Sequence, residues 1–178
     1  MPDKSVLEGL FKPEHVAGKP LVILMCGIAG SGKTTLSQQL AEEYGLTRLS
    51  IDEEVWSASG RYGIDYPAEK YREHLNEAHT RLCDKLVQLI QDGKPLVVDS
   101  SFWRRSEREK YKQLIEEAGG EWKLLYLKVQ PDELRKRLKL RSERFDANAA
   151  FTITEELLTT FLQGFEEPRD EGEVVIEG

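Results

Sequence analysis

The chain has 178 residues, a length that suits one domain with a substantial buried core. Its formal net charge of −7 argues against nucleic acid or an anionic membrane surface as a partner, because such binding requires a surplus of positive charge. No secretory leader and no apolar run long enough to cross a membrane is visible, so we expect a cytoplasmic protein, monomeric or homodimeric, without a membrane partner.

The first twenty residues differ in character from the rest. They contain prolines, glycines and a few apolar residues, which favours one short helical turn packed on the body of the protein. We therefore predict an N-terminal extension at residues 1–20 and a single domain at residues 21–178.

A strand, a glycine-rich loop and a helix follow one another at residues 21–45. The loop carries the P-loop signature Gly-x-x-x-x-Gly-Lys-Thr, and its residues are Gly27, Ile28, Ala29, Gly30, Ser31, Gly32, Lys33, Thr34 and Thr35. The glycines let the backbone aim several N–H groups at one phosphate chain, and the helix adds its positive end. Lys33 is then placed to reach the β- and γ-phosphates of a nucleotide, and the Thr34 hydroxyl is placed to ligate Mg²⁺.

Strands and helices alternate through the remainder. Strands are predicted at 46–51, 95–99, 121–129 and 174–176, and helices at 67–91, 104–118, from 131 onward and at 154–163. Residues 53–67 mix glycines with aromatic and charged residues and are predicted to be a mobile segment outside the core. The alternation indicates an α/β fold with a parallel sheet covered on both faces, whose ligand lies at the carboxyl ends of the strands.

Charged side chains mark this edge of the predicted sheet. Asp52 follows the second strand and Asp99 ends the third, so both carboxylates should lie near the P-loop. Further along the chain, Arg137, Arg141 and Arg144 recur three or four residues apart on one helix face, which suggests an anionic ligand.

In order and spacing these pieces resemble the small P-loop kinases of the AAA-family ATP-binding type, similar to zeta toxins, chloramphenicol phosphotransferase and the kinase part of polynucleotide kinase. The matching segments are 27–35, 49–52, 97–102 with 104–109, 125–127 and 165–168. The resemblance implies the three-layer α/β/α sandwich of P-loop NTPases, a five-stranded parallel sheet of order 2-3-1-4-5 and a lid at about residues 137–153. It also places the tail loop at 165–168 near the adenine, although an aromatic residue before a proline turn is more often simple packing.

The resemblance also implies roles for the two aspartates. Asp52 matches the general base that takes the proton of the acceptor hydroxyl, and the alternative is a helix N-cap. Asp99 matches a second acidic residue, which holds Mg²⁺ through water or contacts the acceptor in relatives; the alternative is a cap for the next turn.

The arginines resemble those of a lid that closes over ATP. A guanidinium near the transferring phosphoryl group stabilises the charge of the transition state, and we assign this role to Arg137 and Arg141. The alternative is a solvated helix face held by surface ion pairs.

Together these features predict an ATP- and Mg²⁺-dependent kinase that transfers the γ-phosphoryl group to a hydroxyl of a small molecule. The candidate acceptor residues are the aspartate and its neighbours in two loops: Asp52, Trp56, Arg61, Tyr62, Tyr66, Ser101, Phe102 and Arg105. Three alternatives stay open: a polynucleotide 5′-hydroxyl kinase, a nucleotide-dependent switch or ATPase module, and a toxin similar to the zeta proteins. The sequence identifies neither the acceptor nor a preference for ATP over GTP.

Overall fold

The computed structural model describes residues 7–9, 18–141, 146–149 and 152–178. The strands are β1 (Leu21–Cys26), β2 (Thr47–Ser50), β3 (Leu96–Asp99), β4 (Glu121–Lys128) and β5 (Glu173–Glu177). The helices are α1 (Lys33–Tyr44), α2 (Ile51–Ser59), α3 (Tyr71–Gln91), α4 (Arg105–Glu117), α5 (Pro131–Arg141) and α6 (Glu155–Gly164), with 3₁₀ turns at Ala68–Lys70 and Ala147–Ala149.

The five strands form one parallel sheet in the order β2-β3-β1-β4-β5, which confirms the predicted topology. The register sets Met25 of β1 and Ser50 of β2 opposite Asp99 of β3. The carboxyl ends of these three strands therefore meet at one edge, where the P-loop also begins.

The sheet is the middle of three layers. Val22, Leu24 and Cys26 of β1 pack on the side of α3 and α4, whereas Ile23 and Met25 pack on the side of α1. All six residues of β1 are buried, as expected for the central strand of a sheet covered on both faces. The predicted α/β/α sandwich is confirmed.

A third apolar cluster lies over the P-loop. Ile28 of the loop packs with Leu134 and Leu138 of α5 and with Leu158 of α6. These contacts place α5, which carries the predicted lid arginines, directly beside the loop.

The segment predicted to be mobile is largely ordered. Residues 51–59 form α2, which begins where the Ser50 hydroxyl accepts a hydrogen bond from the Glu53 N–H at 3.4 Å. Asp52 lies in the first turn of α2 and is not its N-cap, and Val55 and Tyr66 are buried in the core. Acidic residues in the first turn complement the positive end of the helix and favour a helix here. The prediction gave more weight to the glycines further along the segment and therefore missed the helix.

Only part of the predicted N-terminal extension is described. Residues 7–9 form one helical turn, and Leu7 is buried in the cluster on the α1 side of the sheet. Residues 1–6, 10–17, 142–145, 150 and 151 lie outside the described residues, and they include Arg144 and part of the predicted lid.

A buried ion pair fixes the loop before β5. The Arg108 guanidinium donates to both carboxylate oxygens of Glu171, at 2.8 and 2.6 Å, and to the Phe102 carbonyl at 2.9 Å. Lys112 donates to the Glu171 carbonyl at 2.9 Å. The clamp ties α4 to the end of the chain behind the loop that follows β3.

In the described part of the chain, every helix is too short or too polar to span a bilayer.

Candidate active site

A cavity of about 780 Å³ opens at the carboxyl edge of the sheet. The P-loop, α2, α3 and α5 border it, and the loop after β3 closes one side. Its lining includes Lys33, Asp52, Asp99, Arg137 and Arg141, so five side chains predicted for catalysis or metal binding lie around one space.

Backbone bonds shape the P-loop. The Gly27 N–H donates to the Ser101 carbonyl at 3.2 Å, and the Ser31 N–H donates to the Ile28 carbonyl at 3.1 Å. A Cβ at Gly27 would lie 2.7 Å from Ser31 Oγ and 2.9 Å from the Leu127 carbonyl, so only glycine fits there without a shift. The loop is therefore held in its curve before any ligand binds.

The P-loop fits an anionic ligand. Gly32 precedes α1 with φ 101°, and no side chain among the described residues caps this helix, so its first N–H groups face the cavity uncapped. The Ser31 hydroxyl is buried and has no hydrogen-bond partner among the described residues. Uncapped amides and an unsatisfied hydroxyl are the groups that a phosphate chain would satisfy.

Lys33 lies at the centre of the charges in this cavity. Its Nζ donates to the Ile28 carbonyl at 3.0 Å, which folds the side chain over the loop. Burial lowers the pKa of Lys33, while the carboxylates of Asp99 and Asp52 act in the opposite direction. The ammonium group is therefore poorly solvated and able to gain from a bound phosphate.

Asp52 faces the cavity from the first turn of α2. Burial raises the pKa of the Asp52 carboxyl, the negative charge of Asp99 raises it further, and Lys33 and Arg141 oppose the shift. Asp52 thus lies within electrostatic reach of the P-loop lysine. A carboxylate with a raised pKa is a stronger proton acceptor than an ordinary surface aspartate.

Asp99 is already bound by a cation. Its Oδ2 accepts hydrogen bonds from Arg48 Nη2 at 2.6 Å and from Ser37 Oγ at 3.1 Å. Arg48 also donates to Ser37 Oγ at 2.8 Å and to Glu53 at 2.7 Å. Arg48, which the sequence analysis did not single out, fixes the position of Asp99 beside the first turns of α1.

Arg137 and Arg141 reach the cavity from α5. Arg137 donates to the Ser31 carbonyl at 3.2 Å and to Glu133 at 2.9 Å, so its guanidinium rests on the P-loop. The charge of Arg141 acts on both Lys33 and Asp52, so its guanidinium lies within electrostatic reach of these two groups. Arg135, in contrast, is exposed and pairs with Asp132 and Glu155.

Aromatic side chains form the wall beyond Asp52. Trp56, Tyr66 and Tyr71 line the cavity together with Trp103 of the loop after β3. Tyr62 stands behind them, with its ring centroid 6.1 Å from that of Tyr66 and 5.6 Å from that of Tyr71. Tyr62 thus supports the wall without lining the cavity.

A histidine and a glutamate close the far end of the cavity. His79 Nδ1 lies 2.9 Å from the Tyr111 hydroxyl, and its Nε2 lies 3.8 Å from the Glu107 carboxylate. Burial lowers the pKa of His79 and raises that of Glu107, and backbone N–H groups of Trp103 and Arg104 oppose the shift of Glu107. Neither residue was predicted, because a lone histidine at helical spacing is indistinguishable from a surface residue in the sequence.

Three predicted acceptor residues lie away from the cavity lining. Phe102 is fully buried, with its ring centroid 4.9 Å from that of Tyr111. Arg61 is exposed and bonds to Asp65. Arg105 is exposed, and its backbone N–H donates to Glu166. These three residues and Tyr62 are therefore outside the cavity lining, whereas Ser101 lies within it.

The tail loop packs on the sheet. The Phe165 ring stacks on Tyr126 with centroids 5.8 Å apart, and the Tyr126 hydroxyl donates to Glu167 at 3.3 Å. Phe165 therefore packs on the sheet, as in the packing alternative stated for this loop in the sequence analysis.

Similarity to known proteins agrees with this geometry. Residues 22–168 match the family model described as AAA domain. The shikimate kinase of Enterococcus faecalis (strain ATCC 700802 / V583) is 30% identical over 143 residues, which cover 78% of this chain and 77% of that protein. Adenylate kinase isoenzyme 1 of Sus scrofa is 29% identical over 164 residues, which cover 83% of this chain and 79% of that protein.

The fold also matches solved structures. A protein of Chloroflexus aurantiacus j-10-fl, described as a proposed kinase, superposes with a TM-score of 0.74 and 22% identity, covering 91% of this chain and 87% of that one. At this identity the match supports the fold alone.

Proposed function

We propose that this chain, which belongs to the AAA domain family, is an ATP-dependent phosphotransferase that transfers the γ-phosphoryl group to a hydroxyl of a small molecule. The observation that carries the proposal is the position of Asp52 in the same cavity as Lys33 and the uncapped P-loop helix. A proton acceptor and a phosphate-binding loop around one space are what phosphoryl transfer to an alcohol requires.

The P-loop would hold the triphosphate. The uncapped N–H groups at the start of α1 and the Ser31 hydroxyl would bind the phosphate oxygens, and Lys33 would add a positive charge near the γ-phosphate. Thr34 and Asp99 line the same space and offer the oxygen ligands that Mg²⁺ prefers. Bound there, Mg²⁺ would neutralise charge on the β- and γ-phosphate oxygens.

Asp52 would act as the general base. As the acceptor oxygen forms its bond to the γ-phosphorus, the Asp52 carboxylate takes the hydroxyl proton. The bond between the γ-phosphorus and the bridging oxygen breaks, and ADP leaves with the electron pair. The raised pKa of Asp52 favours this proton transfer, because the carboxylate is a better base than in water.

The two arginines would stabilise the transferring group. Arg137 already contacts the Ser31 carbonyl on the P-loop, and Arg141 lines the same cavity within electrostatic reach of Lys33 and Asp52. Guanidinium groups at this point match the charge that spreads over the phosphoryl oxygens.

The relatives support an acceptor that is a small molecule. Shikimate kinase is named for a hydroxylated acid and adenylate kinase for a nucleotide. The match to shikimate kinase supports a hydroxyl as the acceptor group, and the match to adenylate kinase supports only a small-molecule acceptor.

ADP release from Mg²⁺-ATP across a panel of hydroxylated metabolites, nucleosides, antibiotics and a 5′-hydroxyl oligonucleotide tests the proposal. We expect one acceptor to raise the rate above the water background, and Asp52→Asn to abolish that gain while ATP binding persists. Asp132→Asn, which alters an exposed carboxylate paired with Arg135, should leave the gain intact. A gain that persists in Asp52→Asn would refute the base assignment, and stimulation by the oligonucleotide alone would favour a polynucleotide kinase.

A further inference from the structure

The cavity extends well beyond Asp52. Tyr71, Leu75 and His79 all line it, and they follow one another at four-residue spacing on α3. Eight residues of α-helix span roughly 12 Å, so this wall is longer than one sugar ring. We call the region bounded by Asp52, Tyr66, Tyr71, His79 and Glu107 the acceptor end, and the region bounded by residues 29–35 the phosphate end.

Rings at the acceptor end are held by other rings. The Tyr66 centroid lies 4.7 Å from that of His74, and the Trp103 centroid lies 4.9 Å from that of Phe161, both edge to face. Burial raises the pKa of Tyr66 and of Tyr71, so both phenols stay uncharged near neutral pH. Fixed, uncharged rings offer flat surfaces for the C–H faces of a ring ligand or for a cation.

The polar groups at the acceptor end are hydrogen-bond acceptors or neutral. Glu107 is fixed by backbone N–H groups, and its carboxylate lies 3.8 Å from His79 Nε2. His79 is itself positioned by the Tyr111 hydroxyl, and its lowered pKa keeps the imidazole neutral at pH 7. Asp52 adds a second carboxylate at the other side of this region.

The lysine and arginine side chains of the described cavity lining lie toward the phosphate end, and the charge of Arg141 also acts on Asp52 and Tyr71. Among the described lining residues the cations are Lys33, Arg137 and Arg141, and each contacts the P-loop or acts electrostatically on Lys33. A bound triphosphate would neutralise these three charges. The acceptor end then keeps two carboxylates without a lysine or arginine among its described lining residues.

We propose that the acceptor is an uncharged or amino-substituted ring polyol, and that Glu107 selects it by binding its hydroxyl or ammonium groups and repelling anions. This inference rests on the proposed phosphotransferase function and narrows its acceptor class. An anionic acceptor would bring a negative charge beside the Glu107 carboxylate, which already balances the charges of Arg104 and Arg108 outside the described lining. Within that lining no lysine or arginine stands at the acceptor end to pair with the anion, which costs affinity. An ammonium group beside Glu107 and the aromatic rings would instead gain affinity.

Glu107 also caps the first turn of α4, so a purely structural role must be separated from recognition. A cap alone would change stability and leave ligand charge preference untouched. A recognition role would change the order in which ligands of different charge bind. The experiment therefore measures both the melting temperature and the ligand affinities of the same variants.

The experiment is calorimetric titration of the ADP- and Mg²⁺-loaded protein with glucosamine, glucose and glucuronate, three sugars with the same ring and different charge, at a pH where the glucosamine amine is protonated. We expect glucosamine to bind at least about tenfold more tightly than glucuronate, since one charge-assisted contact is worth about this factor. Glu107→Gln should cost glucosamine about tenfold and glucose much less. The control Glu117→Gln changes an exposed glutamate bonded to Gln113 on the same helix and should alter none of the three.

Three results of this titration would overturn the proposal. Glucuronate could bind as tightly as glucosamine, or none of the three sugars could bind. Alternatively, Glu107→Gln could lower the melting temperature and leave the order of affinities unchanged. Failure of the proposed function is a separate result, because it would appear as absent phosphoryl transfer to any acceptor. Transfer to a carboxylate-bearing acceptor would keep the function and reject this inference.

Discussion

Arg48 Nη2 donates a hydrogen bond to Asp99 Oδ2 at 2.6 Å, across two neighbouring strands of the sheet. Both side chains are largely buried, with 11% and 5% of their surface exposed. Asp99 is therefore an aspartate whose charge is balanced before any metal binds, and Arg48 holds it toward α1.

Arg48→Met should destabilise the fold by about 3 kcal/mol, because it leaves a buried carboxylate without its cation. The measurement is the free energy of unfolding in urea. Arg61→Met is the matched control, since Arg61 forms an exposed pair with Asp65 and should matter far less. Equal losses of unfolding free energy in the two variants would show that the buried Arg48–Asp99 pair stabilises the fold no more than the exposed Arg61–Asp65 pair.

Gly27→Ala should weaken ADP binding by more than tenfold, because the added Cβ would lie 2.7 Å from Ser31 Oγ and would displace the loop that binds phosphate. The control is Gly45→Ala. Gly45 has φ 67° with no atom near its Cβ position, so alanine should cost about 1 kcal/mol of stability and leave ADP affinity unchanged. Titration with ADP and thermal unfolding of both variants separate the two effects.

The Glu171 clamp should make the protein sensitive to acid. The Arg108 guanidinium holds the pKa of Glu171 below its ordinary value of 4.5, so the pair stabilises the fold fully above that pH and loses its effect as the pH falls through the folded-state pKa. Glu171→Gln should lower the free energy of unfolding by about 3 kcal/mol at pH 7. The difference from the parent protein should shrink below a pH of about 4, and a constant difference down to pH 3 would contradict this assignment.

If Asp52 is the general base, kcat/KM should fall at low pH. Asp52 must be ionised to take a proton, and burial raises its pKa above 3.8. With the acceptor found in the panel, kcat/KM should rise with pH through an apparent pKa above 3.8, and Asp52→Asn should remove this limb. A profile that is flat from pH 4 to pH 8 would show that Asp52 does not act as the base.

The sequence was sufficient for the architecture because its strongest signals are local. The apolar run at Leu21–Cys26, the P-loop glycines and the stops at Gly45 and Gly119 each act within a few residues, and the structure has them as predicted. Strand order followed from the resemblance.

The sequence says least about side chains whose position depends on long-range contacts. Phe102 and Arg61 lie in loops, and nothing local distinguishes a core phenylalanine or a paired arginine from residues that contact a ligand. Arg48 meets Asp99 only because β2 and β3 are neighbours in the sheet, and His79 meets Glu107 only because α3 and α4 reach the cavity from different parts of the chain. Contacts between residues this far apart in the chain can be identified from the fold but not from the sequence alone.

A crystal structure with Mg²⁺ and a non-hydrolysable ATP analogue would show whether the P-loop and Asp52 form one phosphoryl-transfer site. We expect the triphosphate along residues 27–34, with the γ-phosphate near Lys33 and facing the cavity beside Asp52. A nucleotide bound elsewhere, or a γ-phosphate directed away from Asp52, would contradict it.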